Sequence, residues 1–216
     1  MRMDSYAVWL LVSAIFLGGL SACSTTQIYS NTQHQKLDLD NGLLTSQGIA
    51  FLTPSTITGQ EEDKQIIAFV FTETLAEQRP DIPYLSLPQT LSAINDAGLA
   101  DEYRNILLDY RATGIFDKKT LAKIREATGK RFIAQLKLSD FEQGSRGRFG
   151  AFGLRIMDTK QAHVRIFLQI WDGDKGAIVW EATEELSYSH DTTSEKPVTF
   201  DKIVSEAAKN LIKDLP

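Results

Sequence analysis

The chain has 216 residues, 43% of them hydrophobic and 24% charged, with a formal net charge of −5 and a single cysteine. These values place it among ordinary globular proteins, exclude an intrachain disulfide, and argue against a general nucleic-acid binder, which would show a basic excess. Without an export segment and a tether, roughly 170 residues remain, enough for one domain that buries about 70% of its unfolded surface.

The first 22 residues carry only Arg2 and Asp4 as charges, and residues 6–20 read YAVWLLVSAIFLGGL, apolar apart from Ser13. Charged, apolar and small-residue parts follow one another as in a secretory signal, and the run is shorter than the roughly 20 residues of a comfortable membrane span. Next come Leu20, Ser21, Ala22 and Cys23. This quartet resembles the lipobox of bacterial lipoproteins. The resemblance implies a diacylglycerol thioether on Cys23, cleavage between Ala22 and Cys23, and acylation of the new amino terminus. Each buried methylene contributes about 0.8 kcal/mol, and two chains already anchor a protein stably. By the same resemblance, Ser24 is compatible with passage to the outer membrane. The expected location is the cell envelope, as an outer-membrane lipoprotein with its domain facing the periplasm.

Residues 23–47 are rich in Ser, Thr, Gln and Asn, which predicts a lipidated cysteine on a flexible tether, with only loose docking of Leu37, Leu39, Leu43 and Leu44. A single α/β domain is expected over 48–216. Residues 49–52 form a short apolar run stopped by Pro54, suited to a buried strand. Thr58 and Glu61 have capping-box spacing and open a helix to about Gln78, with Ile66, Ile67, Val70 and Phe71 on one face. A second strand is expected at residues 84–87, then a helix with Pro88 in its first turn, ending at Gly98. Two more helices follow, from Asp101 to Gly114 and from Asp117 to Gly129, each closed by glycine. The pattern then changes to period two: Phe132, Ala134, Leu136 and Leu138, and later Val164, Ile166, Leu168 and Ile170, alternate with polar neighbours. The DGDKG turn at 172–176 leads into a partner strand beginning at Ile178 and running to about Tyr188. A strongly amphipathic helix from Phe200 to Leu215 ends the chain. The order β-α-β-α-α-α-β-β-β-α describes an α/β (α+β) fold with a single mixed β-sheet and packed helices.

Three stretches carry a resemblance to a known family: GIAFL at 48–52, TGKRFIAQL at 128–136, and IWDGDKGAIVW at 170–180. They resemble the periplasmic domain of the curli secretion channel lipoproteins (CsgG-like), a fold shared with the amino-terminal domain of the translocation protein TolB, exopolysaccharide-secretion lipoproteins and lipoprotein activators of peptidoglycan synthases. The chain also looks like uncharacterised lipoproteins of similar length. Such proteins act as rings, docking platforms or activators, so the resemblance implies a non-enzymatic role. The chain departs from the channel protein in lacking a pair of long alternating segments able to build a membrane barrel.

Sites of chemistry are sparse. His34, His163 and His190 fall in no metal-ligand spacing. No Gly-x-Ser-x-Gly elbow exists, and no carboxylate pair is singled out. The 172–176 turn lacks the sixth-position glycine and twelfth-position glutamate of a calcium loop, where Ala177 and Thr183 stand. No catalytic residue, metal or cofactor is expected. Trp171 and Trp180 flank the turn as a cross-strand pair or as core residues. The most unusual stretch is GSRGRFGAFG at 144–153. It reads as a glycine-rich loop in which Arg146, Arg148, Phe149 and Phe152, with Arg155 just beyond, could dock a protein partner, a second copy, or anionic headgroups or glycan.

The expected function is that of a lipid-anchored periplasmic accessory or docking module in envelope assembly, secretion or surface-polymer export. It would be held to the membrane by its N-terminal lipid and be open to a protein partner or self-association, without nucleic acid. A binding module for a small ligand or glycan is the alternative reading, and a hydrolase the third.

Overall fold

A computed structural model describes residues 26–151, 154–192 and 196–216, without the side chains of 148–157. The elements in chain order are β1 (Thr26–Lys36), α1 (Leu43–Gln47), β2 (Ile49–Phe51), β3 (Ser55–Thr56), α2 (Glu61–Gln78), β4 (Tyr84–Leu85), α3 (Leu87–Asp96), α4 (Ala100–Thr113), α5 (Lys118–Thr128), β5 (Phe132–Ala151), β6 (Leu154–Asp172), β7 (Ala177–Thr192) and α6 (Phe200–Lys213). The strands form one mixed sheet in the order β1-β7-β6-β5-β2-β4, with β3 pairing on β5. β2 runs parallel to β4 and β5, whereas β5, β6, β7 and β1 form an antiparallel meander. From residue 48 onward the predicted order is the observed one, with only the two-residue β3 unforeseen.

The period-two pattern sends alternate residues to two different cores. On one face Phe132, Leu136, Val164, Ile166 and Trp180 meet α2 and the apolar stripe of α6, including Ile203, Ala207 and Leu211. On the other, Ile133 and Trp171 meet α3–α5 through Ile94, Tyr110, Phe116 and Leu121. A register shift between Ile170 and Trp171 accompanies this split. The two tryptophans therefore do not form a cross-strand pair. Each is buried in its own core, with Trp171 edge-on to Phe116 at a ring separation of 5.0 Å.

Local signals set several helix ends. Ser86 and Gln89 form a reciprocal capping box with proline in the first turn of α3. Asp117 accepts from the Thr120 backbone N–H at 2.9 Å, and left-handed Gly114 and Gly129 close α4 and α5. At α2 the expected capping box does not form. The N-cap is Gln60, and the Thr58 hydroxyl donates to Asp63 at 2.5 Å instead.

The tether expected over 23–47 is corrected for its described part, which belongs to the folded unit. β1 pairs with β7 in unbroken register from Thr26 opposite His190 to Lys36 opposite Trp180. Leu39 and Leu44 are wholly buried among the residues under α2 and α6. The polar composition that suggested a tether is that of an edge strand, whose residues stay largely exposed. Its ties are polar too. The buried Glu184 carboxylate accepts from Ser30 at 2.5 Å, from Thr32, and from Asn210 of α6 at 2.9 Å. Asn210 also donates to Ser30 Oγ at 2.9 Å. A buried carboxylate is tolerable only when its oxygens are occupied in this way, so one acidic side chain fastens β1 to both sheet and helix.

Candidate functional site

The glycine-rich segment is the distal half of a long β5–β6 hairpin rather than a loop. Pairing continues from Phe132 opposite Asp172 out to Ala151 opposite Leu154. Strand pairing uses backbone groups, which glycine supplies as well as any residue. Glycine density therefore does not prevent a ladder here.

A register shift between Leu138 and Asp140 sets which side chains share a face. Before it, even-numbered residues of β5 enter the core under α2 and α6. After it, odd-numbered ones turn to that side, of which only Phe141 packs on the core, because one added residue reverses the alternation. Phe141 packs edge-on against Phe200 at 4.8 Å, and the Gln143 amide donates to the Val198 carbonyl. Glu142, Gly144 and Arg146 thereby join Gln27, Gln161 and Ser189 on the opposite, uncovered face. Two adjoining shallow recesses lie there, of about 470 and 260 Å³.

Of the predicted interaction residues, Arg146 is exposed opposite Thr159 in this surface. Arg148 falls at a second register shift, between Gly147 and Phe149. Phe149 is opposite Met157 and Arg155 opposite Gly150. The side chains of Arg148, Phe149 and Arg155, and all of Phe152, lie outside the described residues, as do Ala22 and Cys23.

His163 lies farther along the same face. Its Nδ1 is 3.0 Å from Ser187 Oγ, and its Nε2 is 3.6 Å from Asp140 and 3.9 Å from Glu185. Arg165 also reaches Glu185, at 3.2 Å. The Ser-His-Asp succession is that of a hydrolase triad, but all three sit mid-strand on an open sheet. The Nε2–Asp140 separation of 3.6 Å is also longer than a hydrogen bond, so the three are not linked as a triad is. What the cluster supplies is a polar sheet surface. His34, in β1, lies 3.6 Å from Asp214.

The 172–176 turn is locked by its first residue. Asp172 accepts from the backbone N–H groups of Asp174 at 2.9 Å and Lys175 at 3.3 Å, and from Arg131 at 2.8 Å. Burial alone would raise its pKa, but Arg131 and the turn N–H groups outweigh burial and hold it below the usual carboxylate value. The carboxylate is thus spent on the turn and on Arg131. Among the described residues no three His, Cys, Asp or Glu gather as metal ligands.

A groove of about 1550 Å³ runs along the outer side of α2, walled by the start of α3 and by α6. The sequence pattern does not announce it, because the helical stripe of α2 marks a single inward face. Ile67, Val70, Phe71 and Leu75 are buried inward, yet Phe69 projects outward, 64% exposed. Phe69, Ile66 and Leu91 line the groove with apolar surface beside the carboxylates of Glu73 and Glu77, while Glu206 is paired with Lys209 at 2.9 Å. An apolar lining with a few charged groups is the kind of surface that binds a ligand or partner.

No protein-family model matches the chain, and no curated protein matches it. Among solved structures it is similar to the PelC dodecamer from Paraburkholderia phytofirmans, at 10% identity over 85% of this chain and 95% of that chain, with a TM-score of 0.48. It is also similar to lipoprotein GNA1162 from Neisseria meningitidis, at 11% identity over 78% of this chain and 99% of that one, with a TM-score of 0.38. A third similar structure is the LpoB C-terminal domain from Salmonella enterica, at 12% identity over 65% of this chain and 90% of that one, with a TM-score of 0.33.

Proposed function

We propose that this chain is a lipid-anchored, non-enzymatic accessory module of the bacterial envelope, carried on the outer membrane and facing the periplasm, that docks a protein partner or further copies of itself in envelope assembly, secretion or surface-polymer export. The observation that carries the reading is the position of its only cysteine. Cys23 closes a lipobox-like quartet and stands directly before β1. Acylation there would fix a sheet edge beside the membrane and leave the helices free for partners. The resemblance of the 48–52, 128–136 and 170–180 stretches to CsgG-like lipoproteins supports a platform role. The uncovered polar face and the α2 groove offer surfaces for a partner. Among the described residues no helix is long and apolar enough to cross a membrane.

The test takes the intact protein from membranes in mild detergent. Mass spectrometry should find diacylglycerol and acyl mass on an N-terminal Cys23, and Cys23→Ser should release the protein to the aqueous fraction. An unmodified Cys23 would sink the reading. Light scattering, corrected for detergent, then separates a discrete oligomer or complex from a monomer. A monomer that holds a small ligand or glycan in the α2 groove would favour a second reading, a tethered binding module, for which the groove's size speaks.

A further inference from the structure

We propose that the α2 groove receives an amphipathic helical segment of a partner protein, with its apolar residues on Phe69 and Leu91 and its lysines or arginines on Glu73 and Glu77. This rests on the accessory reading above and gives its protein partner a chemical class.

The apolar half of the argument starts from α2. Its core face is filled by Ile67, Phe71 and Leu75, all wholly buried. Phe69 points the other way and adds nothing to that core, although a ring of its size ordinarily goes inside. Leu91 of α3, also exposed, shares the groove with it. Burying such surface against a partner is favourable in proportion to the area removed from water.

The polar half is a matter of charges left over. Among the groove's carboxylates, Glu61 is paired with Lys64 and Glu206 with Lys209, each at 2.9 Å. Glu73, Glu77 and Asp201 make no ion pair or side-chain hydrogen bond among the described residues. The remaining cation, Lys202, is occupied by Tyr188, donating to its hydroxyl at 2.7 Å and lying 4.6 Å from its ring centre. The uncompensated charge is therefore acidic, and the surface that complements it is basic. An anionic bilayer surface would be repelled.

The shape selects a helix. The groove follows α2 from Glu61 to Glu77, about 24 Å at about 1.5 Å per residue. Its walls are almost entirely helical, and helices bond their own backbone groups. An extended segment would find only the two-residue β4 to pair with. A helix brings its backbone already satisfied. Phe69, Glu73 and Glu77 recur at four-residue intervals along α2, roughly one per turn. A partner helix laid along α2 meets them with an apolar residue and basic residues at the same spacing.

The test uses the full-length lipidated protein in phosphatidylcholine nanodiscs, with empty discs as reference. Acyl mass on Cys23 is measured on the same sample. A phage-displayed library of random segments of about 16 residues, enough to fill the groove as helix, is selected against it. Enriched segments should carry apolar residues at helical spacing bordered by lysine or arginine. As synthetic peptides they should bind Phe69→Ser about tenfold or more weakly. Glu73→Gln combined with Glu77→Gln should weaken them too, by a factor that shrinks as salt is raised. Leu108→Ser, at an exposed leucine of α4 outside the groove, should change nothing. All these side chains are exposed, so the thermal midpoints should stay close to the parent's. Enrichment of acidic or uncharged segments, no enrichment, or binding indifferent to the groove variants overturns the proposal. An oligomer of the protein alone that Phe69→Ser dissociates gives the groove to a second copy and overturns it as well. Each of these results leaves the lipid anchor in place, whereas missing acyl mass overturns the anchor and leaves the peptide result to stand by itself.

Discussion

Glu184 shows how much one side chain can decide. Its carboxylate is buried and accepts only from neutral donors, two of them hydroxyls of β1. Removing it orphans those donors and leaves a gap under α6. Glu184→Ala should cost about 2–4 kcal/mol in denaturant unfolding. The loss should appear locally as well, as faster amide exchange across β1 than across β6. Asp172 carries the pH dependence. Its folded pKa is depressed below the ordinary aspartate value of 3.8. Its contribution is therefore complete above that unfolded value and is lost as pH falls through the lower folded one. Thermal unfolding followed from pH 7 down through the acid range should show a drop below about pH 4 that shrinks in Asp172→Asn. That variant should also lose roughly 2–3 kcal/mol at neutral pH through the charge-assisted bond to Arg131. Gly48 is a backbone case. Its φ is +68°, and an added Cβ would come within 2.6 Å of the Pro83 carbonyl oxygen. Gly48→Ala should therefore destabilise by about 1–3 kcal/mol or more, read from the unfolding midpoint.

Among the elements, those with strong internal periodicity are legible in the amino-acid sequence itself. The Phe132–Leu138 and Val164–Ile170 alternations, the Ser86/Gln89 box and the glycines after α4 and α5 each state a local rule that the fold obeys. β1 is not legible because it is an edge strand with polar side chains. What holds it is a backbone ladder and a carboxylate distant in sequence. Leu39 and Leu44 belong to no repeat that would mark them as core. As core residues they carry weight: Leu39→Ala should cost about 2–5 kcal/mol in chemical unfolding, as for any fully buried leucine. A tether residue would cost nothing. The hairpin escapes a reading by pattern for a related reason. Glycines at 144, 147 and 150 remove the side-chain alternation by which a strand is recognised, while the backbone pairing that builds it leaves no mark in composition.

At the scale of the molecule, the two faces of the sheet have different tasks. One is sealed by α2 and α6. The other is covered by α3–α5 at the end that holds β2, Ile133 and Trp171, and is open and polar from Arg165 outward. The candidate surfaces are thus partly legible in sequence. Arginines and phenylalanines at 146–155 stand out by composition. The α2 groove does not, since it arises where α3 and α6 flank a helix that carries apolar residues on both sides. If assembly runs through the hairpin, changing Phe149 and Phe152 together to Ser should reduce a discrete oligomer to monomer in detergent light scattering while the thermal midpoint stays close to that of the parent. If the hairpin serves the membrane alone, the mass should stay the same.

β1 also has a mechanical meaning. With lipid on Cys23, any force drawing the protein from the membrane enters the domain at Thr26 and runs along β1. The ladder to β7 extends from Thr26 to Lys36 without a bulge, and antiparallel bonds lie across the strand axis. A pull along that axis therefore loads the rungs side by side in shear instead of peeling them one at a time. The ties from Ser30 and Thr32 to Glu184, and from Asn210 to both Ser30 and Glu184, are cross-bracing for the same strand. The polar segment beside the anchor thus acts as a clamp that spreads tension over the sheet ahead of the core.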